Sequence, residues 1–433
     1  MDAESELRRG LEGVTVAETR LSRVDGEAGE LLIAGYPVEE LASAATYEET
    51  VFLLLTDRLP TGAERRRFRE RLVARRGIDP AVRGVLERAA ATGVDPMDAV
   101  RMGVAAASVE SGEGPNAEAD AESKSVPGAE PESDPDAEPD GDADAEPTAH
   151  SEPADSPVLA AKEAFDVAPE TIVAIERAVA VLPTVVATYW RYRDGSEPVD
   201  PDPDLGHAAN YLWMLTGESP DDAAVRGLET YLNSVIDHGL NASTFTARVI
   251  VSTESDAISG ITGAVGALKG PLHGGAPGPV LDMLRTVHER GDPEGYVEER
   301  LAAGERLMGF GHRVYRVRDP RAAVLEAAAE RFFESGGDAD FFETVRAFED
   351  VAVERLAAHK PDRRLETNVE YYTATLLAGV GIPRDLFAPT FAVGRVGGWG
   401  AHAAEQLGDN RLIRPRGRYV GATGRTWVPV GDR

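Results

Sequence analysis

Helical spacing recurs along almost the whole of this chain and leaves room for little except a predominantly α fold. After residue 40 there is almost no apolar–polar alternation. Instead come ETVFLLLTDRL, GAERRRFRERLVARRG, PAVRGVLERAAATG and PMDAVRMGVAAAS, then VAPETIVAIERAVAVLPTVVATYWRYRDG and SPDDAAVRGLETYLNSVIDHG, and later LETNVEYYTATLLAGVG and FAVGRVGGWGAHAAEQLG. Each carries apolar residues at three- and four-residue spacing, with Pro or Gly between neighbours. The first forty residues differ: two short apolar runs around Asp25–Gly29 predict a small hairpin near Thr19–Gly35, then a helix from Val38. There is little room for a Rossmann unit, and neither GxGxxG nor a P-loop occurs. Glycine-rich helical stretches, GITGAVGALKG and GRVGGWGAH, predict close helix–helix packing.

With 433 residues the chain can bury two or three domains' worth of core. Its longest apolar run, AVAVLPTVVATYW, is interrupted by Pro183, so no membrane span is expected. The opening MDAESELRRG lacks an apolar signal core, and the expected location is the cytoplasm. Cysteine is absent, which excludes disulfides and thiol nucleophiles, and the eight histidines show no metal-ligand spacing.

Charge narrows the partners further. The 75 acidic residues against 45 basic ones give a net charge of −30, which repels nucleic acid and anionic membranes. Only Lys124, Lys162, Lys269 and Lys360 are lysines, a bias that resembles proteins of salt-loving archaea. Half of the net charge lies in one stretch, residues 110–157, which has 16 acidic residues, one lysine, eight prolines and no aromatic residue. Such a composition cannot bury enough apolar surface to offset chain ordering, so an acidic, disordered insertion is expected there.

Against this negative background MGFGHRVYRVRDPR, residues 308–321, concentrates positive charge. Gly309 and Gly311 flank Phe310 and bare the backbone before His312; Arg313, Arg316, Arg318 and Arg321 follow. Glycine backbone, imidazole and guanidinium groups suit a polyanionic substrate. Alone, the run reads equally well as a solvated helix start. Three more motifs join it: DHGLNASTFTARV with His238 and Asn241, GALKGPLHGGAPG with His273, and NVEYY with Glu370. A lone histidine is usually a satisfied structural residue; the combination carries the case.

Together with FAVGRVGGWGAHAAEQLGDNRLIRPRGRYVG these motifs resemble, in order and over roughly residues 10–109 and 158–425, the short-form citrate synthases of archaea and bacteria. The resemblance implies an all-α, two-domain homodimer with a small N-terminal β-hairpin. A large domain would comprise residues 1–109, 158–271 and 377–433, a small one residues 272–376. The implied reaction condenses acetyl-CoA with oxaloacetate and water to citrate and CoA. It needs no metal and no cofactor beyond acetyl-CoA as co-substrate.

The resemblance also assigns roles. Glu370 stands where the family has the carboxylate that removes a methyl proton, His273 where a neutral imidazole meets the forming enol oxygen, and His312 where the ketone is polarised. His238, Arg321 and Arg395 match groups that hold the oxaloacetate carboxylates, and Arg414 an arginine supplied across the dimer interface. Leu307, Met308, Gly309, Phe310 and Gly311 match the backbone that receives the CoA adenine, and Arg316 a CoA phosphate contact. The chemistry calls for these types: a thioester α-carbon is a weak acid, so base and enol-oxygen donor must act together. A dianionic electrophile in a dry cleft needs several arginines.

Two departures stand out. Family members usually carry Asp where this chain has Glu370, a methylene longer and so reaching about 1.5 Å further. Many also carry histidine at the position of Val235. These departures motivate one alternative, a non-catalytic paralogue that binds a partner; a second, a 2-methylcitrate synthase using propionyl-CoA, stays open because a single methylene shifts pocket selectivity by only about 1–3 kcal/mol. Deleting residues 113–155 is expected to leave both the far-UV circular dichroism and kcat nearly unchanged; loss of the dimer on deletion would make the segment structural.

Overall fold

The structure is a computed structural model that describes residues 7–11, 13–107, 157–274, 277–312 and 314–433. The expected disordered insertion lies outside the described residues except for Pro157, which already begins a helix. Of the two apolar runs near the N-terminus the chain makes a three-stranded antiparallel meander, not only a hairpin. β1 (Ser22–Asp25) pairs with β2 (Glu30–Ile33), and β2 with a two-residue β3 (Tyr36–Pro37). The β1–β2 turn runs through Asp25, whose carboxylate accepts the backbone N–H groups of Glu27 and Ala28.

Everything else among the described residues is helical or connecting. α1 (Val38–Ala44), α2 (Tyr47–Thr56), α3 (Gly62–Val73), α4 (Pro80–Ala91) and α5 (Pro96–Ala105) come first. After the insertion follow α6 (Pro157–Phe165), α7 (Pro169–Arg193), α8 (His207–Thr216), α9 (Asp222–Val235), α10 (Ala242–Val251) and α11 (Ala257–Leu268). α12 (Pro277–Arg290), α13 (Pro293–Ala302), α14 (Pro320–Ser335), α15 (Ala339–His359), α16 (Val369–Gly379) and α17 (Phe387–Gly408) complete the set. The start signals are local. Thr46–Glu49 and Thr61–Glu64 form reciprocal capping boxes, and Asp79 and Asp95 cap helices whose first residue is proline.

Pro183 does not interrupt its helix: α7 runs unbroken for 25 residues, as the spacing across VAPETIVAIERAVAVLPTVVATYWRYRDG predicts. A mid-helix proline forfeits one backbone hydrogen bond, and here burial compensates, because every residue from Ala178 to Tyr189 is buried. α7 is also the one helix among the described residues long and apolar enough to cross a membrane, with a mean hydropathy of 1.6 over an 18-residue window. It lies inside the protein, packed against α4, α5, α8 and α17. Each large apolar side chain so buried contributes about 1.5–3 kcal/mol.

α17 sets the geometry beneath the site. Its 22 residues hold the fully buried Trp399, and at Gly398 the helix lies directly on the chain entering the DHG turn. A Cβ there would sit 2.1 Å from the Ile236 carbonyl oxygen, far inside van der Waals contact. Gly398→Ala is therefore expected to destabilise the fold by about 1–3 kcal/mol in denaturant unfolding. Gly84→Ala, in the middle of α4 with nothing within 4 Å of the added carbon, should instead stabilise it by about 0.4–1 kcal/mol.

Candidate active site

Four helix starts meet around one cavity of about 900 Å³. Asn241 caps α10, accepting the N–H groups of Ser243 and Thr244; Asp319 caps α14, accepting that of Arg321; Asn368 caps α16, accepting that of Glu370. Pro277 opens α12 on the same wall. Each helix start carries positive partial charge, and their convergence favours anions. The lining includes His238, His273, Gly311, His312, Arg321, Glu370 and Arg395, so seven of the expected residues share one space.

The small sheet braces two of them. Ser22 on β1 donates to Asp237 and accepts the N–H of Gly239, holding the turn around His238. The buried His402 imidazole donates to the same Asp237 carboxylate, 3.1 Å away. Its Nδ1 accepts from Arg248, a group with no acceptor capacity, which fixes the proton on Nε2. At the other end of β1 the Gly26 carbonyl accepts the N–H of Arg316 at 2.8 Å, which steadies the loop after His312.

The three histidines are all neutral. Burial and the charge of Arg321 depress His312 to about 4. Burial and Arg395 depress His273 to about 4. Burial, then Arg321 and Arg395, hold His238 well below the usual imidazole range. For His312 the tautomer follows: Nδ1 accepts backbone N–H groups from Val314 and Tyr315, each at 3.0 Å, so the proton is on Nε2 and that nitrogen donates. His238 Nε2 pairs with the Tyr315 hydroxyl at 3.1 Å, and its ring lies edge-on to His312, centroids 6.0 Å apart.

His273 is set by a hydroxyl switch. Its Nε2 is 2.8 Å from Ser243 Oγ, which also accepts from Trp399 Nε1 at 3.0 Å and lies 2.7 Å from Asn241 Oδ1. One hydroxyl proton cannot serve both neighbours. Donated to Asn241, it makes His273 the donor through Nε2; turned to His273, it moves the imidazole proton to Nδ1. Asn241 Oδ1 already receives two backbone N–H groups, so it loses little by the turn.

The charged groups are anchored differently. Arg321 grips Asp319 through Nε and Nη2, at 3.0 and 2.8 Å, which leaves Nη1 without a partner among the described residues. Arg395 gives Nε to the Val235 carbonyl and lays its guanidinium 4.8 Å from the Phe391 ring centroid; both Nη groups stay uncommitted among the described residues. The Glu370 carboxyl has no hydrogen-bond partner among the described residues, while its backbone N–H donates to Asn368. Burial pushes its carboxyl up to about 7, against the pull of Arg321 and with a smaller push from Asp319. A cavity with one titrating carboxylate, neutral imidazole donors and two arginines can abstract a weakly acidic C–H proton beside a bound dianion.

The remaining expected residues lie elsewhere. Of the 307–311 segment only Gly311 lines the cavity; Leu307 and Gly309 are buried, and Phe310 packs against Tyr371 at 5.2 Å and Phe348 at 6.3 Å. The exposed Arg316 lines a neighbouring cavity of about 470 Å³ with Arg363 and Arg364, and His312 borders both. Arg414 lines a third space of about 980 Å³ that shares Leu11, Val14, Val16, Ala17 and Phe245 with the first. Sequence reasoning missed Ser243, Tyr315, Arg363, Arg364 and Tyr231. The PDRR run was the one signal for the two arginines; the others looked like ordinary helix or loop positions.

The family described as "Citrate synthase, C-terminal domain" matches residues 10–130 and 143–416. A citrate synthase of Haloferax volcanii is 40% identical over 99% of both chains. A 2-methylcitrate synthase of Shewanella oneidensis is 31% identical over the full length of both. Among solved structures, the citrate synthase of Pyrobaculum aerophilum has a TM-score of 0.78 at 34% identity, covering 98% of this chain and 95% of its own. That of Thermoplasma acidophilum, solved as a ternary complex with carboxymethyl coenzyme A and oxaloacetate, has a TM-score of 0.75 at 27% identity, covering 99% of this chain and 100% of its own.

Because a carboxyl raised to about 7 is the base only when ionised, catalytic rate should climb with pH through that value and then level off. The histidines, depressed to about 4, stay neutral and add no second acid limb there. A pH profile of kcat/KM whose limb lies near the ordinary carboxylate value would exclude a buried Glu370 as the group responsible.

Proposed function

The chain belongs to the citrate synthase family, acyltransferases that condense acetyl-CoA with oxaloacetate and water to citrate and CoA, and we propose that six residues of its central cavity carry that reaction. The observation that supports this reading is the shared wall: His238, His273, His312, Arg321, Glu370 and Arg395 line one space, with a carboxylate raised to about 7 among them. Glu370 takes a proton from the acetyl methyl. His273, with the Ser243 proton turned to its Nε2, donates from Nδ1 to the enol oxygen as it forms. His312 donates from Nε2 to the ketone oxygen of oxaloacetate, and the enol carbon attacks that carbonyl carbon. The proton reaching the new alkoxide completes a citryl thioester, and hydrolysis of its C–S bond releases citrate and CoA. A well-placed donor at a developing oxyanion is worth roughly 3–4 kcal/mol.

Arg395, with two free Nη groups, and Arg321, with Nη1, take the oxaloacetate carboxylates beside His238. Arg316, joined by Arg363 and Arg364, meets the CoA phosphates in the adjoining cavity, and the backbone of 307–311 meets the adenine. Residues 272–376 form the small domain that closes over the substrates. The active form is a homodimer in which Arg414 of one protomer completes the site of the other. Its support is the C-terminal tail, where Val420, Trp427 and Val430 are each at least 77% exposed. The acidic, lysine-poor surface fits a cytoplasm of high salt, where counterions screen the self-repulsion.

Glu370→Gln is expected to abolish thiol release from acetyl-CoA plus oxaloacetate in molar KCl, while leaving oxaloacetate binding nearly intact. Near-normal turnover by this variant would remove Glu370 as the base, and no thiol release by folded wild-type dimer would favour the non-catalytic paralogue. With the wild type, kcat/KM favouring propionyl-CoA over acetyl-CoA would transfer the assignment to 2-methylcitrate synthesis. One methylene changes such selectivity by only about 1–3 kcal/mol, so both acyl donors must be measured.

A further inference from the structure

Seven tyrosines are at most 2% exposed: Tyr47, Tyr189, Tyr211, Tyr231, Tyr315, Tyr371 and Tyr372. Six of them hydrogen-bond through the hydroxyl. Tyr47 donates to the carbonyls of Val393 and Gly394, Tyr189 to that of Val94 and Tyr371 to that of Val345; Tyr372 donates to the Glu349 carboxylate, Tyr211 pairs with Thr390 and Tyr315 with His238. Tyr231 alone has no partner among the described residues. A buried phenol in that condition is unusual, since such groups nearly always find an acceptor.

Tyr231 is also the only tyrosine lining the central cavity among the described residues. It sits on α9 one helical turn before Val235, so the two share a face of that helix. Burial first, then the charge of Glu370, hold its hydroxyl above the ordinary phenol range, and Arg395 and Arg321 are close enough to pull the other way. The group is therefore a neutral donor standing among the base and both carboxylate-binding arginines. It makes no bond to Glu370, although both line the same space. An acceptor brought in by a ligand would satisfy it.

We infer that the Tyr231 hydroxyl donates a hydrogen bond to a carboxylate of the four-carbon keto diacid, beside the guanidinium of Arg395, and so supplies the polar contact that Val235 cannot. The inference rests on the assignment of this cavity to oxaloacetate. It makes Tyr231 a substrate-binding residue, not a base or a proton donor to carbon.

Tyr231→Phe removes one oxygen and keeps the buried ring, and a melting curve of the variant checks that the fold is retained. The expected result is a rise of about tenfold or more in KM for oxaloacetate, with KM for acetyl-CoA within about twofold and kcat less affected. Tyr211→Phe is the packing control: it removes a buried phenol that is bonded to Thr390 and does not line the cavity, and it should leave KM for oxaloacetate unchanged. An unaltered oxaloacetate KM in Tyr231→Phe would overturn the inference. So would an equal loss in both variants, which would point to packing, or a displaced acid limb without a KM change, which would mean the phenol acts on Glu370. Wild-type enzyme that fails to release thiol from acetyl-CoA and oxaloacetate would instead sink the functional assignment itself.

Discussion

A short backbone ladder, residues 309–311 against 366–368, ties the imidazole to the carboxylate. Gly311 donates its N–H to the Glu366 carbonyl at 2.7 Å, Asn368 donates its own to Gly309 at 2.9 Å, and the Asn368 side chain reaches the Gly311 carbonyl at 2.9 Å. His312 leaves one strand of this ladder and Glu370 the other. Both glycines are needed on two counts. Their φ angles are +86° and +79°, where a side chain is strained, and a Cβ would lie 2.9 Å from Tyr371 at Gly309 and from Leu365 at Gly311. Asn368 at once closes the ladder and caps α16, so a single side chain positions Glu370 and starts the helix that carries it.

Electrostatics then sort the groups that the ladder brings together. The chain as a whole is strongly acidic, yet its cavity is walled by helix starts and two arginines. Screening by salt weakens the repulsion among exposed surface carboxylates far more than it weakens contacts inside a partly closed cavity. Within that space the desolvation that pushes Glu370 up also pushes the histidines down. The same burial therefore yields a carboxylate that titrates near neutrality and, with the nearby charges of Arg321 and Arg395, imidazoles that remain neutral. Arg321 is held by an adjacent carboxylate and Arg395 by a backbone carbonyl, so neither needs substrate to stay in place.

Much of the fold was legible because its signals are local. Capping residues and proline starts marked many helices, and spacing marked their faces. Pro183 sits inside α7 without ending it because the burial that offsets its cost comes from the several helices packed around α7, which the helix's own sequence does not record. The third strand was missed because two residues carry no periodicity. Histidines, arginines and Glu370 were found through motifs, but the ladder that joins two of those motifs is pure backbone pairing and leaves no side-chain pattern. Tautomers were beyond reach for the same reason: His312 is set by the N–H groups of Val314 and Tyr315, whose side chains are irrelevant to it.

Val235 contributes to the cavity through its backbone as well as its side chain. Its carbonyl, not its side chain, receives Arg395 Nε, so the guanidinium keeps its anchor whatever residue stands there. What changes with an apolar side chain is the lining of the cavity along that face of α9. An arginine anchored through Nε keeps two Nη groups with which it can meet a carboxylate by charge-assisted hydrogen bonds. Four residues earlier, at the spacing that brings side chains together on one face, the helix carries Tyr231, whose hydroxyl has no partner among the described residues. Substitution at one turn of a helix is thus tolerated when backbone holds the essential cation and the preceding turn already offers a hydroxyl.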